Sequence, residues 1–163
     1  MSSSKREDKF SRTLAVASRY ARLHVRSTYE VRTYLHQRGI PAGVVQRVVA
    51  HLLAEGALDD QACARLWADH WARAGYAWAA IQRKLSAKGL SEALIKLAGR
   101  GAGRASDDMA RAREVVAKPL GSSQRSINRC VRLLRSRGFD QDVIEQVLSE
   151  AVGVLPSDIM AGP

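Results

Sequence analysis

"LSAKGL", residues 85–90, is the second of three such hexapeptides: "LHQRGI" stands at 35–40 and "LRSRGF" at 134–139. Each reads leucine, two variable residues, a basic residue, glycine and an apolar residue, and Gly39, Gly89 and Gly138 recur about every 50 residues. The flanks repeat as well. One helical turn before Leu35, Leu85 and Leu134 stand Val31, Ile81 and Cys130, on the same helix face. Beyond the glycines come the apolar pairs Val44–Val45, Leu94–Ile95 and Val143–Ile144.

The chemistry of one unit follows from that pattern. A helix ends at a glycine that enters the left-handed conformation without a Cβ clash, and the next apolar residue packs back over the last turn. The basic residue before the glycine, Arg38, Lys88 or Arg137, faces the negative end of the helix dipole. Pro41, Ser91 and Asp140 then open a second helix, Ser91 and Asp140 as N-caps. A further helix precedes each unit. "TLAVASRYARLHV" serves the first, followed by Ser27 and Glu30 in capping-box spacing. "LDDQACARLWADHWARAG" serves the second, capped by Asp59 or Asp60, with Leu66, Trp67, His70 and Trp71 gathered on one side. "SDDMARAREVVAK" serves the third, with Met109, Ala112, Val115 and Val116 as its apolar stripe.

The expected fold is all-α: three tandem three-helix repeats forming an elongated array, straight or curved, whose neighbours share cores. The expected boundaries are a disordered segment at 1–11, repeats at 12–56 and 57–99, a flexible linker at 100–106, a third repeat at 107–152 and a tail at 153–163. A polar break at 118–126 falls within the third repeat.

Among 163 residues, 46% are hydrophobic, enough to bury a core, and 26 Lys and Arg against 16 Asp and Glu give a net charge of +10. That balance points to an anionic partner or a nucleoprotein surface. The charge is uneven: residues 100–137 hold ten basic side chains, Arg111 among them, against three acidic ones. Within helices the basic residues fall mainly between the apolar positions and are expected to face solvent. No stretch approaches the ~20 apolar residues of a membrane span. The start "MSSSKREDKF" lacks a signal-peptide core, so a cytoplasmic protein is expected.

Catalytic equipment is not legible. Cys63 and Cys130 sit alone in apolar helical settings without metal spacing, and His24, His36, His51 and His70 are scattered. The glycines at 99, 101 and 103 follow no strand, so they make no dinucleotide loop. The acid pairs Asp59–Asp60 and Asp107–Asp108 stand at helix starts, where carboxylates serve free N–H groups. Trp67 and Trp71 fit a packed helix interface better than a base-stacking platform. No cofactor or enzyme activity is expected.

With these residues in view, the chain resembles the RecX family of RecA regulators. The resemblance rests on "RSTYEVRTYLHQRGI", "EGALDDQACARLWADHWARAG", "IQRKLSAKGL" and "LRSRGF", and spans roughly residues 12–150. The chain departs from the family pattern at Cys63, where Phe or Tyr is usual, and at "AGYAW" and "GRGAGR". The resemblance implies a non-enzymatic monomer of three three-helix repeats. Such a protein lies in the groove of the RecA–single-stranded DNA filament and restrains its ATPase, recombinase and coprotease activities. Two other readings of the residues stay open. One is a direct, non-sequence-specific DNA-binding protein; the other is a helical-repeat scaffold for another protein. The candidate contacts to filament or nucleic acid are Arg32, Arg47, Arg83, Lys84, Arg132 and Arg135, which fall between the apolar positions of their helices.

Overall fold

The computed structural model describes residues 2–101, 107–117 and 123–153. Among them are nine helices and no strand: α1 (Ser2–Leu23), α2 (Thr28–Gln37), α3 (Ala42–Ala54), α4 (Asp60–Arg73), α5 (Trp78–Ala87), α6 (Glu92–Gly101), α7 (Asp108–Ala117), α8 (Gln124–Ser136) and α9 (Gln141–Val152). Taken in threes, they give the three-helix repeats that the glycine pattern predicts.

The three hexapeptides close their helices alike. The N–H groups of Ile40, Leu90 and Phe139 donate to the carbonyls of Leu35, Leu85 and Leu134 at 3.2, 3.4 and 3.2 Å. Those of Gly39, Gly89 and Gly138 donate three residues back at 2.9, 2.8 and 3.0 Å. This double closure around a left-handed residue is the Schellman motif. It folds the apolar residue after the glycine onto the leucine, and Leu35, Leu85 and Leu134 are all fully buried.

Contacts divide the chain into two compact units: residues 1–66 with 85–95, and 67–84 with 96–163. In the first, α1 packs on α2 and α3, and α2 packs on α3, around Ala17, Val31, Leu35, Val48, Val49 and Leu52. In the second, α7 packs on α8 and α9, and α8 packs on α9, around Ala112, Cys130, Leu134, Ile144, Val147 and Leu148. Met109 and Val115 lie at the edge of that second core.

Each unit also contains a polar joint joining the start of one helix to the end of another. In the first, Ser27 caps α2: its Oγ accepts from Glu30 N at 3.1 Å, and Glu30 Oε2 accepts from Ser27 N at 2.9 Å. The same hydroxyl donates to the Lys88 carbonyl at 2.6 Å, and Lys88 Nζ pairs with Glu30 Oε1 at 2.9 Å. Of the acid pair at 59–60, Asp59 caps its own helix, accepting from Ala62 N at 2.9 Å. Asp60, expected to help cap α4, instead accepts from Thr28 N and Thr28 Oγ1 at 2.8 and 2.7 Å, and so caps α2. In the second unit Asp108 accepts from Trp78 N at 2.9 Å, at the first residue of α5. There the Ala77 N–H donates to the Arg137 carbonyl at 3.0 Å. Helix starts leave N–H groups without intrahelical partners, and here a carboxylate about 30 residues downstream answers them.

Four expectations need correction. Residues 2–11 belong to α1: they carry no helix breaker and simply extend the helix that buries Ala17. Leu66 and His70 are exposed, because the inward stripe of α4 is Cys63, Ala64 and Ala68, with Trp67 and Trp71 half-buried beside it. Arg111 is buried against Asp108, not solvent-facing. Asp140 occupies the N-cap position of α9 with extended backbone but makes no side-chain cap bond, its helix start being open to water. Ser91 does accept from Leu94 N, at 3.4 Å. Residues 102–106 of the expected linker, 118–122 of the polar break and 154–163 of the tail lie outside the described residues.

Gly39 and Gly89 share a left-handed backbone, with φ of 70° and 72°, but differ in surroundings. A Cβ on Gly39 would meet nothing within 4 Å, whereas one on Gly89 would enter the Tyr29 ring. Gly39→Ala is therefore expected to cost about 1 kcal/mol of backbone strain. Gly89→Ala should cost about 2–4 kcal/mol because strain and overpacking add. Urea unfolding of the two variants side by side measures the difference.

Glu30 yields a pH prediction. Burial alone would raise its pKa, but the Lys88 ammonium, the Ser27 N–H and Arg26 outweigh that and hold it below the ordinary 4.5. A carboxyl with a depressed folded-state pKa stabilises the protein above its unfolded value, and that contribution vanishes as pH falls through the folded one. Glu30→Gln should thus be less stable than the parent at neutral pH. The gap should close on acidification below 4.5, as followed by urea midpoints across pH.

Candidate functional site

The described residues hold no group of three His, Cys, Asp or Glu able to bind a metal ion. Both thiols are buried: desolvation pushes Cys63 up to about 11 and raises Cys130. Neither offers a thiolate at neutral pH. Among the described residues no helix is long and apolar enough to cross a membrane. The surface chemistry that remains is cationic.

In the second unit the clearest cationic feature is α8. Its sequence QRSINRCVRLLRS contains no acid, and Ile127, Cys130, Val131 and Leu134 face inward. Arg125, Arg129, Arg132 and Arg135 are exposed and spaced three or four apart, which makes one solvent-facing ridge. Arg135 donates to Gln141 Oε1 at 3.2 Å, and that bond steadies one end of the ridge. Sequence periodicity selected Arg132 and Arg135; Arg125 and Arg129 share their face and were legible by the same spacing.

Arg83 is exposed on α5, but Lys84 is half-buried. Its Nζ lies 5.4 Å from the centre of the Trp71 ring and 4.6 Å from that of Tyr76, and Arg137 lies 4.6 Å over Tyr76. Trp67 stacks on Trp71 at 5.1 Å. This is a packed cation–aromatic cluster, in which Lys84 serves first as a packing element.

The first unit carries Arg32 and Arg47, both exposed, with Arg47 lying 4.8 Å over the Phe10 ring. It also holds a four-layer stack that sequence reasoning missed. Tyr20 and Tyr34 are parallel at 3.9 Å, Arg26 covers Tyr20 and Arg38 covers Tyr34, each at 4.5 Å. The two tyrosines are 14 positions apart in sequence on different helices, so no local spacing announces the stack.

Several basic residues are committed internally. Arg137 donates to the Ala74 carbonyl, Arg111 pairs with Asp108, and Arg113 pairs with Glu150 at 2.8 Å. Lys88 is held by Glu30. The recurrent basic residue before each glycine therefore has a structural duty in the second and third repeats. The candidates for an anionic partner are Arg32 and Arg47 in one unit, and Arg83 with the α8 ridge in the other.

Comparison with known proteins agrees with this architecture. The family described as "RecX, second three-helix domain" matches residues 59–98. The chain is 31% identical over 124 residues to the regulatory protein RecX of Pseudomonas fluorescens, a match covering 74% of this chain and 79% of that protein. The crystal structure of RecX from Lactobacillus salivarius superposes with a TM-score of 0.71 at 18% identity, covering 91% of this chain and 99% of that one. A second crystal structure, of a regulatory protein RecX, gives 0.69 at 17% identity, covering 89% and 74%.

Proposed function

This chain belongs to the RecX family, and we propose that it binds the RecA–single-stranded DNA filament along its groove and restrains the filament's ATPase, recombinase and coprotease activities. It performs no chemistry of its own in this reading and works as a cytoplasmic monomer. The observation that carries the proposal is the α8 ridge, four exposed arginines on a helix without a single carboxylate. Such a ridge is complementary to a polymer of repeating negative charge. Arg32, Arg47 and Arg83 supply further exposed cations, while Lys84 contributes less because its ammonium already rests on aromatic rings.

Direct, non-sequence-specific DNA binding is the second reading, and the same ridge favours it. Salt separates the two. Binding through phosphates alone weakens with a slope of about −0.7 per contact on single strands. A filament binder associates tightly only when RecA is present.

Two outcomes are expected. Substoichiometric protein added to RecA turning over ATP on single-stranded DNA should lower the hydrolysis rate, and an unchanged rate at every ratio would defeat the proposal. The double variant Arg132→Glu, Arg135→Glu should bind the filament at least about tenfold more weakly, since two exposed cations become anions. Far-ultraviolet circular dichroism should be unchanged, because neither side chain enters the core.

A further inference from the structure

The glycine-closed helix end occurs three times, and two of its copies are occupied within their own units. At Lys88–Gly89 the occupant is the first turn of α2. Ser27 bonds the Lys88 carbonyl, Glu30 pairs with the Lys88 ammonium, and the Tyr29 ring covers the glycine. At Arg137–Gly138 the occupant is the start of α5: Ala77 N bonds the Arg137 carbonyl, and a Cβ on Gly138 would stand 2.7 Å from Ala80 Cβ. The third copy, Arg38–Gly39, closes α2 with the same hydrogen bonds, yet Arg38 and Gly39 are exposed and open space lies over the glycine.

We propose that the Arg38–Gly39 end of α2 is a docking site for the first turn of a helix, carrying a carboxylate in that turn, from a protein other than this chain. A helix start is common to both occupants present, and the carboxylate is read from Glu30 on Lys88, since the α5 start carries no acid in its first turn. The surroundings suit it. Beside Arg38 lies a groove of about 260 Å³, lined by Arg12, Thr13, Val16, Leu35, Arg38 and Ile40, with an apolar floor and no acidic side chain in its wall. Asp8, near its rim, is paired with Arg12 at 2.8 Å. Arg38 is held in place by its stack on Tyr34, so its guanidinium is oriented before any partner arrives.

Nucleic acid fits this end less well. Each tyrosine of the stacked pair has one face on the other ring and its other face under an arginine, so neither ring offers a platform for a base. The equivalent helix start of a second copy fits poorly too. In the register of the glycines, the third-repeat position matching Glu30 is Arg129, a cation that would meet Arg38. Moreover, α8 begins at Gln124, about one turn earlier than α2 and α5 in the same register, so its start does not reproduce theirs.

The probe is a synthetic peptide with the sequence of residues 25–37, held helical by a lactam bridge between positions 32 and 36, both of which are exposed on α2. Titrated into the full, isotope-labelled chain, it should shift the amide signals of Gly39 and Ile40 saturably. The same peptide with Glu30→Lys should bind at least about tenfold more weakly. Arg38→Glu in the protein should reverse that order, favouring the lysine peptide, which a merely structural role for Arg38 would not produce. Absent shifts at Gly39 and Ile40, equal binding of both peptides, or shifts confined to Lys88–Gly89 would overturn the proposal. So would an oligonucleotide that moves the same amides more tightly than the peptide, or concentration-dependent self-association abolished by Arg38→Glu. The result is independent of which protein supplies the helix, so it stands or falls separately from RecA inhibition.

Discussion

A helix start must find acceptors for its first N–H groups, and this chain finds them in the following repeat. Asp60, the first residue of α4, receives Thr28 N at the start of α2; Asp108, the first residue of α7, receives Trp78 N at the start of α5. A repeat whose second helix is capped from outside is not an independent module. The division of the chain follows from this. The first compact unit takes in Asp60 and Lys88, which serve α2, whereas Trp78 falls in the second with Asp108. Repeat boundaries in sequence and unit boundaries in contacts therefore differ, because the polar joints cross the former.

What the sequence made legible was local. A leucine at one turn's distance from a left-handed glycine, the apolar residue after it and the S-x-x-E box at Ser27 each act within about six residues, and each is seen in the structure where the pattern put it. What stayed illegible was pairing across the chain. Asp60 reads as a cap for its own helix because its partner is 32 residues away. Arg111 reads as surface because charge predicts exposure, and only its proximity to Asp108 reconciles it with burial. Helix α4 misled for a different reason: bulky Leu66 and His70 drew attention from Cys63, Ala64 and Ala68, the small residues that actually allow close packing. The site divided the same way. Periodicity found exposed arginines on α8, but it could not foresee that Lys84 would lie against Tyr76.

Net charge overstates the cation available to a partner. The Lys88, Arg111, Arg113 and Arg137 side chains are engaged with Glu30, Asp108, Glu150 and the Ala74 carbonyl. Of these, the Arg113–Glu150 pair is exposed and contributes little, while the Lys88–Glu30 and Arg111–Asp108 pairs are largely removed from water. Replacing one member of such a shielded pair strands the other, so those positions hold register. The exposed positive field arises from cations that the fold does not consume, foremost among them the α8 ridge.

The first and third repeats depart from this joint chemistry, each at one end of its second helix. In the middle of the chain, a basic residue before the glycine is held by the helix start of the repeat before it. In the first repeat Arg38 is instead steadied from within by Tyr34, Tyr20 and Arg26. In the third repeat the second helix is lengthened at the start and capped locally, Ser123 accepting from Ser126 N at 3.3 Å. Arg129 stands in the third repeat where Glu30 stands in the first, so the α8 start lacks the carboxylate with which α2 holds Lys88. Repetition gives the chain its joints, and at Arg38 and Ser123 contacts within the repeat itself take the place of a joint.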